Sequence, residues 1–354
     1  MMALHNLKNK IVIYGAGMVG VSIYYALREI APDCTIDNFI VSDKEGNPSE
    51  IDGIKVICLN EYSDRDVQVF IATPENYHAA IVKALQMNGF HQYICIDSDL
   101  EAQIMKYYYD RRHLFPSLSD LERGAEKPEV AIYIARFHKD QKLSSPKELP
   151  VWMSPIQAGA ALTDIKIAEI RDDAGENISR KNVNYSELSA MYWLNKHIDK
   201  EYIGLFHYRR MLDISREDLF KLKNNQVDVI LPYPTIYDPD IGEHHKRYIK
   251  DSDWEAMQRA LEELAPEYAK AAPSIFAGRY FYNYNMLLAR KEVFRQYCDW
   301  MFPILERTEE LSVPKGSDRA DRYIGYLGEN LTTLFFIYHK NDFKIFHAGR
   351  KMLL

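Results

Sequence analysis

Residues 202–212, "YIGLFHYRRML", join an apolar run to a His, a Tyr and two adjacent Arg. The apolar half has the length and composition of a buried strand. Extended through residue 211, such a strand points His207 and Arg209 to one side and Tyr208 and Arg210 to the other. Two guanidiniums on opposite faces cannot both enter a packed core unpaired, because buried charge without a partner is prohibitive. At the carboxyl end of a sheet strand they reach the crevice where α/β folds bind ligands. There the planar fork of arginine donors suits a phosphate. Structural ion pairs with nearby Asp or Glu are the competing explanation.

Other stretches carry chemistry-capable residues. Gly15, Gly17 and Gly20 form GxGxxG between an apolar strand and a helix, and Asp43 closes the next strand. This is the pattern of a dinucleotide-binding turn: the glycines admit a pyrophosphate to a helix N-terminus, and the acid meets a ribose hydroxyl. A turn kept for packing alone is the other reading. The segment "RDDAGENISRKNVNYSE" (171–187) is a polar loop, either a solvated connection or a binding loop held by rigid neighbours. Glu329 follows a glycine and precedes an apolar helical run. That places it as a helix N-terminal carboxylate or as a general base facing the crevice, with Asp318 and Asp321 as nearby alternatives. His244 and His245 suit a solvated loop better than a metal site, since one pair is too few ligands.

The elements that must position these residues fall into two groups. Strands at 10–17, 37–43, 53–59, 66–74 and 92–97 alternate with helices at 19–30 and 75–90. This predicts a Rossmann-like parallel sheet over 1–118. Thr73 is the expected cap of the second helix, with Pro74 at its first position. A polar linker at 119–128 leads to a second α/β unit over 129–354. Its strands are expected at 129–140, 202–211 and 227–234 and its helices at 182–197 and 252–272, followed by a strand with a long helix and a final helical region. Asn184 and Glu187 have capping-box spacing.

Composition sets the outer bounds. With 354 residues, 47% hydrophobic and 27% charged, the chain can bury two ordinary globular cores. A net charge of −7 argues against nucleic-acid binding, which needs a basic face. Cys34, Cys58, Cys95 and Cys298 form no CxxC pair, so buried free thiols in a reducing cytoplasm are expected. No apolar run of bilayer length and no signal-peptide pattern is present. The expectation is a cytoplasmic protein, with any membrane association peripheral, at the inner face.

The segments "PIQAGAAL", "DDAGENISRKNVNYSELSAMYWLNK", "YIGLFHYRRML", "NMLLARKEVFRQYCDWMFPILE" and "RYIGYLGENL" resemble, in this order, a domain family of bacterial capsular and exopolysaccharide biosynthesis proteins that is similar to GT-A glycosyltransferases. The resemblance spans roughly 129–350. It implies transfer of a sugar from a nucleotide-sugar donor, with UDP-galactofuranose as one donor class, to a glycan or lipid-linked glycan, by inversion. GT-A strands of this kind end in Asp-x-Asp, which holds a divalent metal on the donor diphosphate; here the position reads His207-Tyr208-Arg209-Arg210. No metal ligands are therefore assigned. Fixed guanidinium charge is the expected substitute for the metal. The resemblance further implies that Asp173, Asn177, Ser179 and Asn182 orient substrate hydroxyls, that His207, Tyr208, Arg209 and Arg210 bind the diphosphate, and that Glu329 takes the acceptor proton. The N-terminal segment "VFIATPENYHAAIVKAL" resembles sugar oxidoreductases, although "EKP" at 126–128 falls in the linker. Two other functions follow from these features: an NAD-dependent sugar oxidoreductase using Gly15, Gly17, Gly20 and Asp43, or a non-catalytic nucleotide-sugar-binding protein of a polysaccharide assembly complex.

Overall fold

The computed structural model describes residues 7–143 and 148–353. Residues 1–6, part of the stretch read above for a signal peptide, lie outside the described residues. The fold is mixed α/β. Its first part comprises β1 (Lys10–Tyr14), α1 (Met18–Ile30), β2 (Thr35–Val41), β3 (Glu50–Ile51), β4 (Ile54–Cys58), β5 (Gln68–Ile71), α2 (His78–Met87), β6 (Tyr93–Cys95) and α3 (Ser98–Arg112). These strands form one sheet in the order β3-β4-β2-β1-β5-β6, parallel except for the short β3. Thr73 does not cap α2: its hydroxyl is buried without a partner, and a 3₁₀ turn at Glu75–Tyr77 precedes the helix.

The second part comprises β7 (Val130–Arg136), β8 (Met153–Gln157), β9 (Ile170–Arg171), α4 (Asn182–Tyr185), α5 (Leu188–His197), β10 (Tyr202–His207), β11 (Arg210–Leu212), α6 (Lys221–Asn224), β12 (Val229–Pro232) and β13 (Thr235–Ile236). It continues through α7 (Ile241–His244), α8 (Asp251–Leu264), α9 (Pro266–Phe276), β14 (Tyr280–Phe281), β15 (Leu287–Arg290), α10 (Lys291–Leu311), α11 (Tyr323–Tyr338), β16 (Ile345–Ala348) and β17 (Arg350–Met352). The large sheet runs β16-β12-β15-β10-β7-β8-β9. β10, β7, β8 and β9 are mutually parallel, while β15 runs against β10 and β12.

The two parts share an apolar seam. Tyr108 and Tyr109 of α3 pack with Tyr233 and Ile236 in one core cluster, and the Tyr109 hydroxyl donates to the Pro234 carbonyl at 2.8 Å. Helix α1 is apolar on more than one face because it is covered twice, by its own sheet and by β13, whose Ile236 amide donates to Ser22 Oγ at 2.9 Å. The expected linker and the residues just before it are packed on the second part: the His347 amide donates to Pro116 O, and Gly124 N to Phe220 O. The cysteines depart from expectation. All four are free, but only Cys298 is fully buried. Among the described residues no helix is long and apolar enough to cross a membrane.

Candidate functional site

The strand that raised the question is central. Tyr202–Phe206 are buried, flanked by β7 and β15, which explains an apolar run without alternation. It does not extend through 211. The chain reverses at Tyr208-Arg209, and Arg210 pairs back against His207. The cause is non-local: β17 pairs with β11, and the Leu353 amide donates to Arg209 O at 2.8 Å. The expected alternation at 208–210 is thereby replaced by a turn that sends the two guanidiniums apart. Arg209 lies against the Tyr208 ring at 5.0 Å, with its Nε buried and unpartnered. Arg210 lies on the Tyr284 ring at 4.3 Å.

A cavity of about 470 Å³ opens at the carboxyl ends of β7, β8 and β10. Arg136, Lys139, Asp140, Glu187, Arg209 and Arg322 give it its charge. Among the described residues none of its three arginines forms an ion pair, and the nearby Asp140 carboxylate offsets their charge only in part. His207 also lines it but carries no charge at neutral pH. Burial, then Arg210, Arg209 and Arg322, push its pKa down to about 3. Its Nδ1 accepts from the Arg209 amide, leaving Nε2 as a neutral donor. Asp140 closes a tight turn after β7 by accepting from the Phe137 amide at 2.7 Å. Burial raises its pKa to about 6, against the pull of that amide and of Arg209, Arg322 and Arg136.

Glu187, in the cavity wall, and Glu329 lie near enough for their charges to interact. Glu187 accepts from Asn285 Nδ2 at 2.7 Å. Its pKa is raised by burial and by Asp140, and held down by Asn285 and Arg322. Glu329 is enclosed by packed chain, though a little of its surface stays accessible. Burial and the Glu187 charge push it up to about 8, opposed by the Tyr284 amide, Arg210 and Asn283. Tyr284 and Asn285 are consecutive residues with positive φ, 75° and 47°, uncommon for non-glycine side chains. That kink lets adjacent residues serve both carboxyl groups. Glu329 is not at a helix N-terminus as expected: α11 begins at Tyr323, six residues earlier. The capping box is absent too. Asn184 instead donates to Gly316 O and Arg319 O, and Glu187 turns to Asn285. These bonds, with the Arg319–Asp253 pair at 2.8 Å, fix the approach to α11 and so place Arg322.

The expected site residues separate. Asn182, His207, Tyr208 and Arg209 line the cavity. Asn182 nonetheless spends its amide on Ser186 O and Ser189 Oγ. Asp173 and Asn177 line a different cleft; Asp173 pairs with Arg171, and Asn177 ties the loop to itself through Asp173 O and Gly175 O. Ser179 is buried and donates to Asp172. Asp321 pairs with Arg319, and Asp318 lies in the exposed approach to α11. His244 and His245 are not solvated: their rings lie flat on Tyr237 at 3.5 Å and Trp254 at 4.1 Å.

At the glycine turn, a Cβ on Gly15 (φ +119°) would meet Ala72 O at 2.5 Å, and one on Gly20 would meet Gly15 O at 2.0 Å. Chain packing alone demands both glycines. Only Gly17 faces open space. Asp43 accepts from the Glu45 amide within its own turn.

Arg136, Asp140, Glu187 and Arg322 were not anticipated. "EVAIYIARFHKD" carries the same signal as the opening stretch, an apolar strand ending in charge, and that signal could have singled out Arg136 and Asp140. Glu187 was legible only as a cap, and Arg322 had no sequence signal.

About two thirds of this chain resembles a solved structure. The apo structure of the bifunctional glycosyltransferase WbbM superposes with a TM-score of 0.55 and 26% identity, over 64% of this chain and 45% of that one. The present chain thus matches less than half the length of WbbM. No curated protein matches the chain. A family model described as "Domain of unknown function (DUF4422)" matches residues 131–341, which contain β7, the hairpin at Tyr208-Arg209, both buried glutamates and α11. With well over half of its length under that model, the chain belongs to the DUF4422 family.

Proposed function

We propose that the chain is an inverting glycosyltransferase that moves a sugar from a nucleotide-sugar donor to a glycan or lipid-linked glycan in capsular or exopolysaccharide synthesis. The observation that carries this reading is the set of three guanidiniums, Arg136, Arg209 and Arg322, facing one cavity without ion-pair partners among the described residues. Unpaired fixed charge at the carboxyl ends of parallel strands suits a diphosphate. The likeness to WbbM, a glycosyltransferase, supports the reaction class.

In the reaction, the acceptor oxygen forms a bond to the anomeric carbon as the bond to the diphosphate oxygen breaks. Arg209 and Arg322 stabilise charge gathering on the leaving diphosphate, and neutral His207 donates from Nε2. The acceptor proton passes to a carboxylate. We assign this role to Glu187, which lines the cavity, rather than to Glu329, whose proton is retained at neutral pH. Glu329 then keeps a second negative charge away from the first.

Binding of UDP-galactose, followed by calorimetry on the full chain, tests the diphosphate site. Arg209→Ala and Arg322→Ala should each weaken binding by about 10–100-fold, the worth of a charge-assisted hydrogen-bonded contact. Arg209→Lys should not restore it fully. Unchanged affinity in both alanine variants would refute the reading.

A further inference from the structure

Tyr326 and Glu329 lie three residues apart within α11, which puts them on one side of the helix, and Arg322 caps its N-terminus with a left-handed φ of 64°. The Tyr326 amide donates to Arg322 O, the bond that ties an N-cap carbonyl to the first turn. Arg322 lines the cavity, and Glu329, two turns further along, belongs to the glutamate pair. Between them, Tyr326 stacks on Tyr248 with ring centroids 5.4 Å apart and 28° between planes. His244 stands edge-on to Tyr248 at 5.4 Å and is itself stacked on Tyr237. One face of Tyr248 is thus fixed against an aromatic cluster, yet the residue remains 49% exposed. Glu329 and Tyr284 lie close enough to act on its hydroxyl.

Resting on the transfer reading above, we propose that Tyr248 and Tyr326 form the acceptor subsite, a platform on which a sugar ring of the acceptor glycan stacks while its hydroxyl points to the Glu187–Glu329 pair. The C–H face of a pyranose is apolar and weakly positive, and it complements the negative face of an aromatic ring. A tyrosine ordered by stacking offers that face with little entropy left to lose. The direction also fits. Displacement with inversion needs the nucleophile opposite the leaving group, and Arg322 stands at the N-terminus of α11 while Glu329 lies further along the helix.

The test uses octyl glycosides of galactose, glucose and N-acetylglucosamine as acceptor probes, read by saturation-transfer NMR on the full chain. UDP binding to wild type and Arg209→Ala is measured in parallel. Expected are saturation of ring C–H protons of at least one glycoside, a drop of fivefold or more in Tyr248→Ala and Tyr326→Ala, and recovery in Tyr248→Trp and Tyr326→Phe. Glycoside signals unchanged in Tyr248→Ala, with UDP bound through Arg209, would overturn the platform alone. Glycoside stacking lost in Tyr248→Ala but no UDP binding to wild type would overturn the transfer reading, and with it the acceptor role. If neither probe binds wild type, both fall.

Discussion

Glutamine at position 329 separates the two roles open to the buried glutamate pair. Burial and the neighbouring Glu187 charge raise the Glu329 pKa from 4.5 to about 8. Between those values the folded chain holds a proton that the unfolded chain has lost, so stability falls as pH rises through the window and levels off above it. At about 1.4 kcal/mol per pKa unit, the full effect is roughly 5 kcal/mol. Relaxation and water entry reduce this to about 2–3 kcal/mol in practice. Glu329→Gln is neutral at every pH, like the protonated acid. It should match wild type near pH 5, exceed it by about 2 kcal/mol near pH 8.5, and lose most of the slope between. Urea unfolding followed by circular dichroism at pH 5, 7 and 8.5 measures this. Turnover supplies the second arm. Glu329→Gln should lose less than about tenfold, and Glu187→Gln more than about 100-fold, the usual worth of a positioned base. A wild-type pH slope retained in Glu329→Gln would refute the electrostatic argument. A 100-fold loss in that variant would instead make Glu329 the proton acceptor.

Asp140 should make donor binding pH-dependent, which a site of arginines alone would not be in this range. Its carboxylate, with a pKa of about 6, competes with the donor for Arg136, Arg209 and Arg322 once ionised. UDP-galactose, whose diphosphate does not titrate in this range, should therefore bind about 5–10-fold tighter at pH 5 than at pH 7, and Asp140→Asn should abolish the difference in calorimetry. A wild-type affinity independent of pH would contradict the placement of Asp140 among the arginines. Asp172, buried behind the polar loop, accepts from Gly159 N at 2.8 Å, Ala160 N at 3.0 Å, Ser179 Oγ at 2.5 Å and Ser189 Oγ at 2.7 Å. Asp172→Ala strands all four donors and should cost about 3–5 kcal/mol; a thermal unfolding midpoint within error of wild type would refute that structural role.

The apolar strands were legible because burial on both faces requires uninterrupted hydrophobic runs, and local composition records this directly. So was the glycine turn, since positive φ at Gly15 and the contact of Gly20 with Gly15 O are short-range demands. That the arginines at the end of β10 lie outside the packed core could also be read from residue types, because charge of that density cannot be buried alone, whereas whether they had ion-pair partners could not. Tertiary structure decided the rest. Whether Arg209 and Arg210 act together depended on β17, over a hundred residues away, pulling β11 into a turn. The polar loop looked like a binding loop, yet its donors and acceptors mostly satisfy one another and Asp172, which composition cannot distinguish from aiming at a ligand. Glu187 and Glu329, 142 positions apart in the numbering, became a pair only through the kink at Tyr284-Asn285 and the packing of α11. Sequence specifies which groups are too costly to bury alone; only the fold specifies which of them end up facing each other, because that depends on contacts between segments distant in the chain.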